Sequence, residues 1–190
     1  MPRLARKLST LLLSAFLLGA SLTVAEPRPA RAEEPVVDTY ALIAVYILNF
    51  AKFTSWPEQS FPSPESGIIL GIFGDDVFGD TIDTIAGKTV HDRPLIVHRL
   101  GLGGNPRDCH ILYVAASERR RLHQILAAVA PLPVLTVSDM DDFAAAGGMI
   151  QLQKKAGRIH LLINLTAAQR AGITLRSGLL KIATIVAPRQ

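Results

Sequence analysis

Two adjacent carboxylates, five histidines and one cysteine are the side chains of this 190-residue chain whose chemistry could extend beyond packing. The segment Gly74-Asp75-Asp76-Val77-Phe78-Gly79 sets the two carboxylates on a turn. Like charges close together push their pKa values apart, so Asp75 and Asp76 could divide acid and base roles in a hydrolase. Helix capping explains the same residues more simply. A glycine permits the sharp turn after a strand, and an aspartate accepts the first amides of the next helix. No Gly-x-Ser-x-Gly elbow and no Ser/His/Asp set accompanies the pair, so capping is the preferred reading and no catalytic residue is assigned.

The histidines (His91, His98, His110, His123, His160) are scattered. No two have the i, i+4 helical spacing or the short Cys/His spacing that a zinc site requires. His91 and His98 could share a strand, but seven residues of separation would put them on opposite faces. No metal and no cofactor is expected. Cys109 is the single cysteine and precedes the apolar stretch His110–Val114. One cysteine closes no loop within the chain, so Cys109 reads as a buried thiol at a strand start, with a redox or catalytic thiol as the sharper alternative. Gly101-Leu-Gly-Gly-Asn-Pro106 is rich in glycine, yet it lacks the Lys-Ser/Thr of a phosphate loop and leads into a strand. Arg119-Arg120-Arg121 is the one basic run and reads as the solvated first turn of a helix.

What delivers these residues, and where, is stated at the N-terminus. Met1–Lys7 is basic, Leu8–Ala20 is an apolar run, and a Pro/Ala-rich stretch ends at Ala30-Arg31-Ala32. That order predicts an export signal over residues 1–32, cleaved after Ala32 or alternatively Ala25. A spanning helix needs roughly 20 apolar residues, more than this run supplies. The signal holds five of the 20 basic and one of the 16 acidic residues, so residues 33–190 balance at 15 each. The calculated pI of about 9.5 thus belongs largely to the signal, and a nucleic-acid partner is excluded. Residues 33–190 suit one domain that builds its core without disulfide staples.

The elements are read from periodicity. Val36–Phe50 is apolar nearly all round and predicts a central core helix, with one stripe through Leu42, Val45, Tyr46, Asn49, Phe50 and Phe53. Strands are predicted at Ile68–Phe73, Thr89–His98, Ile111–Val114, Pro133–Val137, Met149–Gln153 and Ile159–Ile163. Helices are predicted at Val77–Ile85, Glu118–Ala130 with Ser117 as N-cap, Asp141–Ala146, Thr166–Arg170 and Ser177–Val186. Strands alternating with helices predict a single α/β domain with a largely parallel sheet flanked by helices. An antiparallel hairpin turning at Ala156-Gly157 is placed at one edge.

Several segments together resemble the YfiR family of small periplasmic proteins. They are Asn49–Pro57, Gly74–Gly79, Asp108–Val114, Pro133–Asp139, Phe143–Ile150, Ile163-Asn-Leu165 and Arg170–Ile173, spread over about residues 38–186. The resemblance implies a non-enzymatic regulator that represses a membrane-bound diguanylate cyclase by contacting its periplasmic sensor domain, lowering cyclic-di-GMP and biofilm formation. It also implies an outer-membrane lipoprotein partner that sequesters the repressor, and a homodimer. Where some members carry a cysteine in the first strand this chain has Gly71, so redox control through an internal disulfide is not expected. The alternative function is a periplasmic small-solute-binding protein serving a transport or sensory system, because open α/β sheets offer crevices at strand C-termini.

Overall fold

The computed structural model describes residues 38–101 and 104–187; the export signal read over residues 1–32 lies outside them. The chain enters through α1 (Thr39–Phe53), where the Asp38 carboxylate accepts the Tyr40 amide at 2.9 Å and caps the helix. Its buried face is Ile43, Ala44, Ile47, Leu48, Phe50 and Ala51. This departs from the sequence-read stripe, half of which turns outward: Leu42 is 37%, Val45 50% and Phe53 37% exposed, while Phe50 is buried. The small Ala44 and Ala51 let the helix approach the sheet closely. Each fully buried Ile or Phe contributes roughly 1.5–3 kcal/mol, enough for packing to fix which face turns inward.

Eight strands form the main sheet. They are β2 (Ile68–Phe73), β3 (Thr89–Val90), β4 (Arg93–Leu100), β5 (Ile111–Val114), β6 (Leu135–Ser138), β7 (Ile150–Lys155), β8 (Arg158–Ile163) and β10 (Ala183–Ile185). Their spatial order is β10-β8-β7-β6-β5-β2-β4-β3, with β4, β2, β5, β6 and β7 successively parallel. The hairpin β7–β8 turns at Ala156-Gly157 as read, and β10 adds outside it, parallel to β8. A separate two-stranded ribbon joins β1 (Thr54–Ser55) to β9 (Thr174–Leu175) and ties the exit of α1 to the C-terminal region.

Side chains alternate across the sheet into two cores. Ile111 and Tyr113 join α1 on one face, while Leu112 and Val114 join α2 (Leu122–Val129) on the other. Several helical expectations shorten in the structure. Gly79–Ile85 and Ala116–Arg121 are 3₁₀ turns. Ser117 is not the cap, because the turn starts one residue earlier with Ala115 at the N-cap position; the Ser117 hydroxyl instead accepts the Asp75 amide at 2.9 Å. Asp141–Ala146 is a series of turns, since Asp142 sits at φ 64°, outside the helical region. Of the last expected helix, only α4 (Ser177–Leu180) forms; Ala183–Ile185 instead extends the sheet as β10. The short α3 (Leu165–Arg170) agrees with expectation, capped by Asn164, whose Oδ1 accepts the Ala167 amide at 3.0 Å.

Candidate functional site

At the C-terminal end of β2 the two aspartates separate in role. Asp76 Oδ1 accepts the amides of Phe78 at 2.9 Å and Gly79 at 3.2 Å, an Asx turn that leads into the 3₁₀ turn, whose own N-cap residue is Phe78 and not the aspartate the sequence suggested. Its Oδ2 accepts Arg99 Nε at 2.7 Å, and the same guanidinium reaches Asp83 at 3.1 Å. Partial burial disfavours the ionised carboxyl, but Arg99 and the two amides outweigh it and hold Asp76 below the ordinary carboxylate value. A catalytic acid would need the opposite shift. Asp75 is exposed, and its amide is spent on Ser117. The two aspartates thus differ in environment, with the Asp76 carboxylate tied into the turn and to Arg99 and Asp75 open to solvent.

The remaining candidates stay apart. His91 lies in the β3–β4 turn, His98, His123 and His160 are exposed on β4, α2 and β8, and His110 is buried. Among the described residues, no group of three or more His, Cys, Asp or Glu side chains gathers as a metal site would require. Cys109 is buried and free. Burial and the neighbouring Asp108 push its thiol up to about 12, so it stays protonated and unreactive at neutral pH. A side chain at Gly71 would meet its sulfur at once, which explains why this strand position carries only hydrogen. The basic run is exposed, with Arg121 3.3 Å from Glu118. Of the glycine-rich loop, residues 102–103 lie outside the described residues; beyond them a 3₁₀ turn over Pro106–Asp108 leads into β5.

Sequence reasoning passed over a cluster at the opposite end of the sheet. His110, at the head of β5, accepts the Ile69 amide at Nδ1 (3.1 Å), which leaves Nε2 to donate to the Ser60 carbonyl at 3.1 Å. Its ring stacks on Phe61 at 4.4 Å, and Trp56 meets both rings edge-on while donating Nε1 to the His110 carbonyl at 3.2 Å. Arg93 lies 3.9 Å over Phe61 and donates to the carbonyls of Ser63 and Ser66. Burial, with Arg93 adding to it against the opposing Ser60 contact, pulls the His110 pKa below its ordinary value, so the ring is neutral. The adjoining crevice, about 260 Å³, is lined by Trp56 and Phe61 with His91, Arg93 and Arg176 at its walls, and no acid. Trp56-Pro57, the single tryptophan placed at the exit of a helix, was the sequence signal that could have located it.

A second surface lies on α1. Leu42, Val45 and Phe53 stand in one line along its outer side, with Asn49 half-buried between them. No helix among the described residues is long and apolar enough to cross a membrane. The family comparison accounts for most of the chain at once, in agreement with the ordered motifs of the sequence. Residues 40–184 match the YfiR/HmsC-like family, whose general role is that of a periplasmic regulator, and the chain belongs to that family.

Proposed function

We propose that this protein is exported by residues 1–32 and, in the periplasm, represses a membrane-bound diguanylate cyclase by occupying its periplasmic sensor domain. The observation that carries the reading is the outer side of α1. Three large apolar side chains in register on an otherwise well-packed helix form a stripe suited to a partner's apolar groove. Family membership supplies the regulatory context. A repressor of this kind acts stoichiometrically, so its effect saturates with the cyclase. An outer-membrane lipoprotein that sequesters it, and a second copy of the chain, are the further partners proposed.

The test is genetic and structural together. Deleting the gene raises cyclic-di-GMP and surface attachment; the full chain restores the low level, and a version lacking residues 1–32 does not. Val45→Glu leaves the fold intact and abolishes repression. Unchanged cyclic-di-GMP in the deletion strain, with the cyclase expressed, would overturn the reading. A solute-binding role is the second reading, favoured by the cation-lined aromatic crevice beside Trp56. It predicts that a small anion raises the melting temperature, because a ligand of the folded state alone stabilises by mass action.

A further inference from the structure

The strand order reverses about β2: the chain passes from β2 to β4 on one side and then to β5 on the other. The loops leaving β2 and β5 diverge there, and such a switch point opens a crevice beyond the strand C-termini. Here it is a cavity of about 220 Å³ walled by Phe73, Gly74, Asp75, Glu118 and Arg121, with Gly101 at its margin. Gly74 is at φ +98°, and a Cβ there would stand 2.5 Å from Ser117 Oγ and 2.8 Å from Glu118 Cγ, so only glycine lets the two loops close on each other.

Glu118 is the unusual member. It is only 8% exposed, and its Oε2 accepts no hydrogen bond among the described residues. Among the described residues its ion pair is with Arg121, whose Nη1 lies 3.3 Å away on a half-exposed side chain. The same guanidinium lies 5.7 Å over the Phe73 ring. Arg121 therefore lies between a carboxylate and an aromatic face, in a cavity that Asp75 also lines, and a carboxylate beside an aromatic face is a recognition set for an organic cation.

We propose that this crevice binds a small organic cation, a primary ammonium or a guanidinium of few heavy atoms. The cation donates to Glu118 Oε2 in place of Arg121. The cavity is below the roughly 300–1,000 Å³ of pockets for drug-sized ligands, which sets the ligand's size. The proposal is independent of the regulatory reading: the crevice lies at a strand end, and the partner stripe lies on α1.

Isothermal titration of the purified protein with methylguanidine and with putrescine tests it. At least one binds saturably, with a Kd on the order of 1 mM. Glu118→Gln abolishes the binding. Arg121→Ala, which removes the internal competitor, tightens it about fivefold, the factor corresponding to an ion pair of about 1 kcal/mol. No heat from either probe, or binding that survives Glu118→Gln, overturns the proposal. Should a variant fail to fold, amide shifts in the unaltered protein decide. Movement of Asp75 and Ser117 supports the site, and movement confined to other segments refutes it. Val45→Glu leaves this binding unchanged, so failure here and failure of the partner surface are read separately.

Discussion

In the His110 cluster, at the N-terminal end of the parallel strands, the ring is enclosed and neutral; in the Asp76–Arg99–Asp83 network, at the C-terminal end, the groups are charged and open to water. His110 spends both ring nitrogens on backbone groups and lies between the rings of Phe61 and Trp56. Asp76, Arg99 and Asp83 instead form an open network whose side chains are 29%, 41% and 51% exposed. The difference teaches where each end's energy resides. Enclosed hydrogen bonds cost their full desolvation when broken, whereas exposed ion pairs are worth little and yield to salt. One end anchors loops onto the sheet, and the other can exchange partners.

The largest effect is expected where enclosure is greatest. His110→Ala removes the partners of the Ile69 amide and the Ser60 carbonyl together with the ring stack. Each unsatisfied group costs about 1–3 kcal/mol and an aromatic pair about 0.5–1.5 kcal/mol, so the urea midpoint falls by the equivalent of at least about 2.5 kcal/mol. A loss as small as that of a surface substitution would show that the cluster is not the anchor described.

Acid separates the two ends along the pH axis. The His110 pKa is depressed in the fold, so the unfolded chain binds the proton more readily. Its stabilisation is complete above the ordinary histidine value of about 6.5 and is lost as pH falls through the lower folded value. Asp76 is likewise depressed, from an ordinary value of 3.8; its contribution is complete above that value and disappears as pH falls further. Unfolding free energy measured against pH should therefore decline in two steps, and His110→Gln should erase only the upper one. A decline confined to the acidic step would break the comparison.

The two ends also differed in how readable they were. The turn at Asp76 was legible because it is local: Gly74-Asp75-Asp76 announces it, and the acceptor and its amides lie within three residues, although the 3₁₀ turn takes Phe78 and not the aspartate as its cap. The His110 cluster was not, because its ring, Ser60 and Ile69 are brought together across 50 and 41 residues, and nothing periodic joins them. The parallel order and the hairpin followed from alternating apolar runs. The inward face of α1 did not, because a helix apolar on nearly every side offers no contrast. Packing of the whole buried face, Ile43, Ile47 and Phe50 together with the small Ala44 and Ala51, decides it. Ser177–Val186 kept helical spacing in sequence, yet the free edge of β8 took Ala183–Ile185 as a strand. Edge pairing is a tertiary demand that local periodicity does not report.

At the open end, Asp76→Ala should cost about 0.5–1.5 kcal/mol, the net worth of a side-chain hydrogen bond, through loss of its Asx-turn bonds to Phe78 and Gly79, read as a fall in unfolding midpoint. The structural reading requires that no turnover be abolished with it. A hydrolytic activity that vanished in a fully stable Asp76→Ala protein would restore the catalytic alternative.

Arg99→Gln should have the smallest effect. Arg99 bonds two carboxylates and the Gly79 carbonyl, so the number of contacts suggests importance. Its exposure argues otherwise, since water competes for every donor and exposed pairs contribute about 0–1 kcal/mol. Glutamine also retains donors for Asp76, so the loss should lie at the bottom of that range. The change should shrink further as salt rises, because the Debye length falls from about 10 Å at 0.1 M to about 3 Å at 1 M. His110→Ala, which breaks uncharged bonds away from solvent, should keep its full cost over the same salt range. Unfolding both variants at low and high salt thus sets the two ends against each other in one experiment. Equal salt sensitivity would mean that the enclosed and open ends are stabilised by the same kind of interaction.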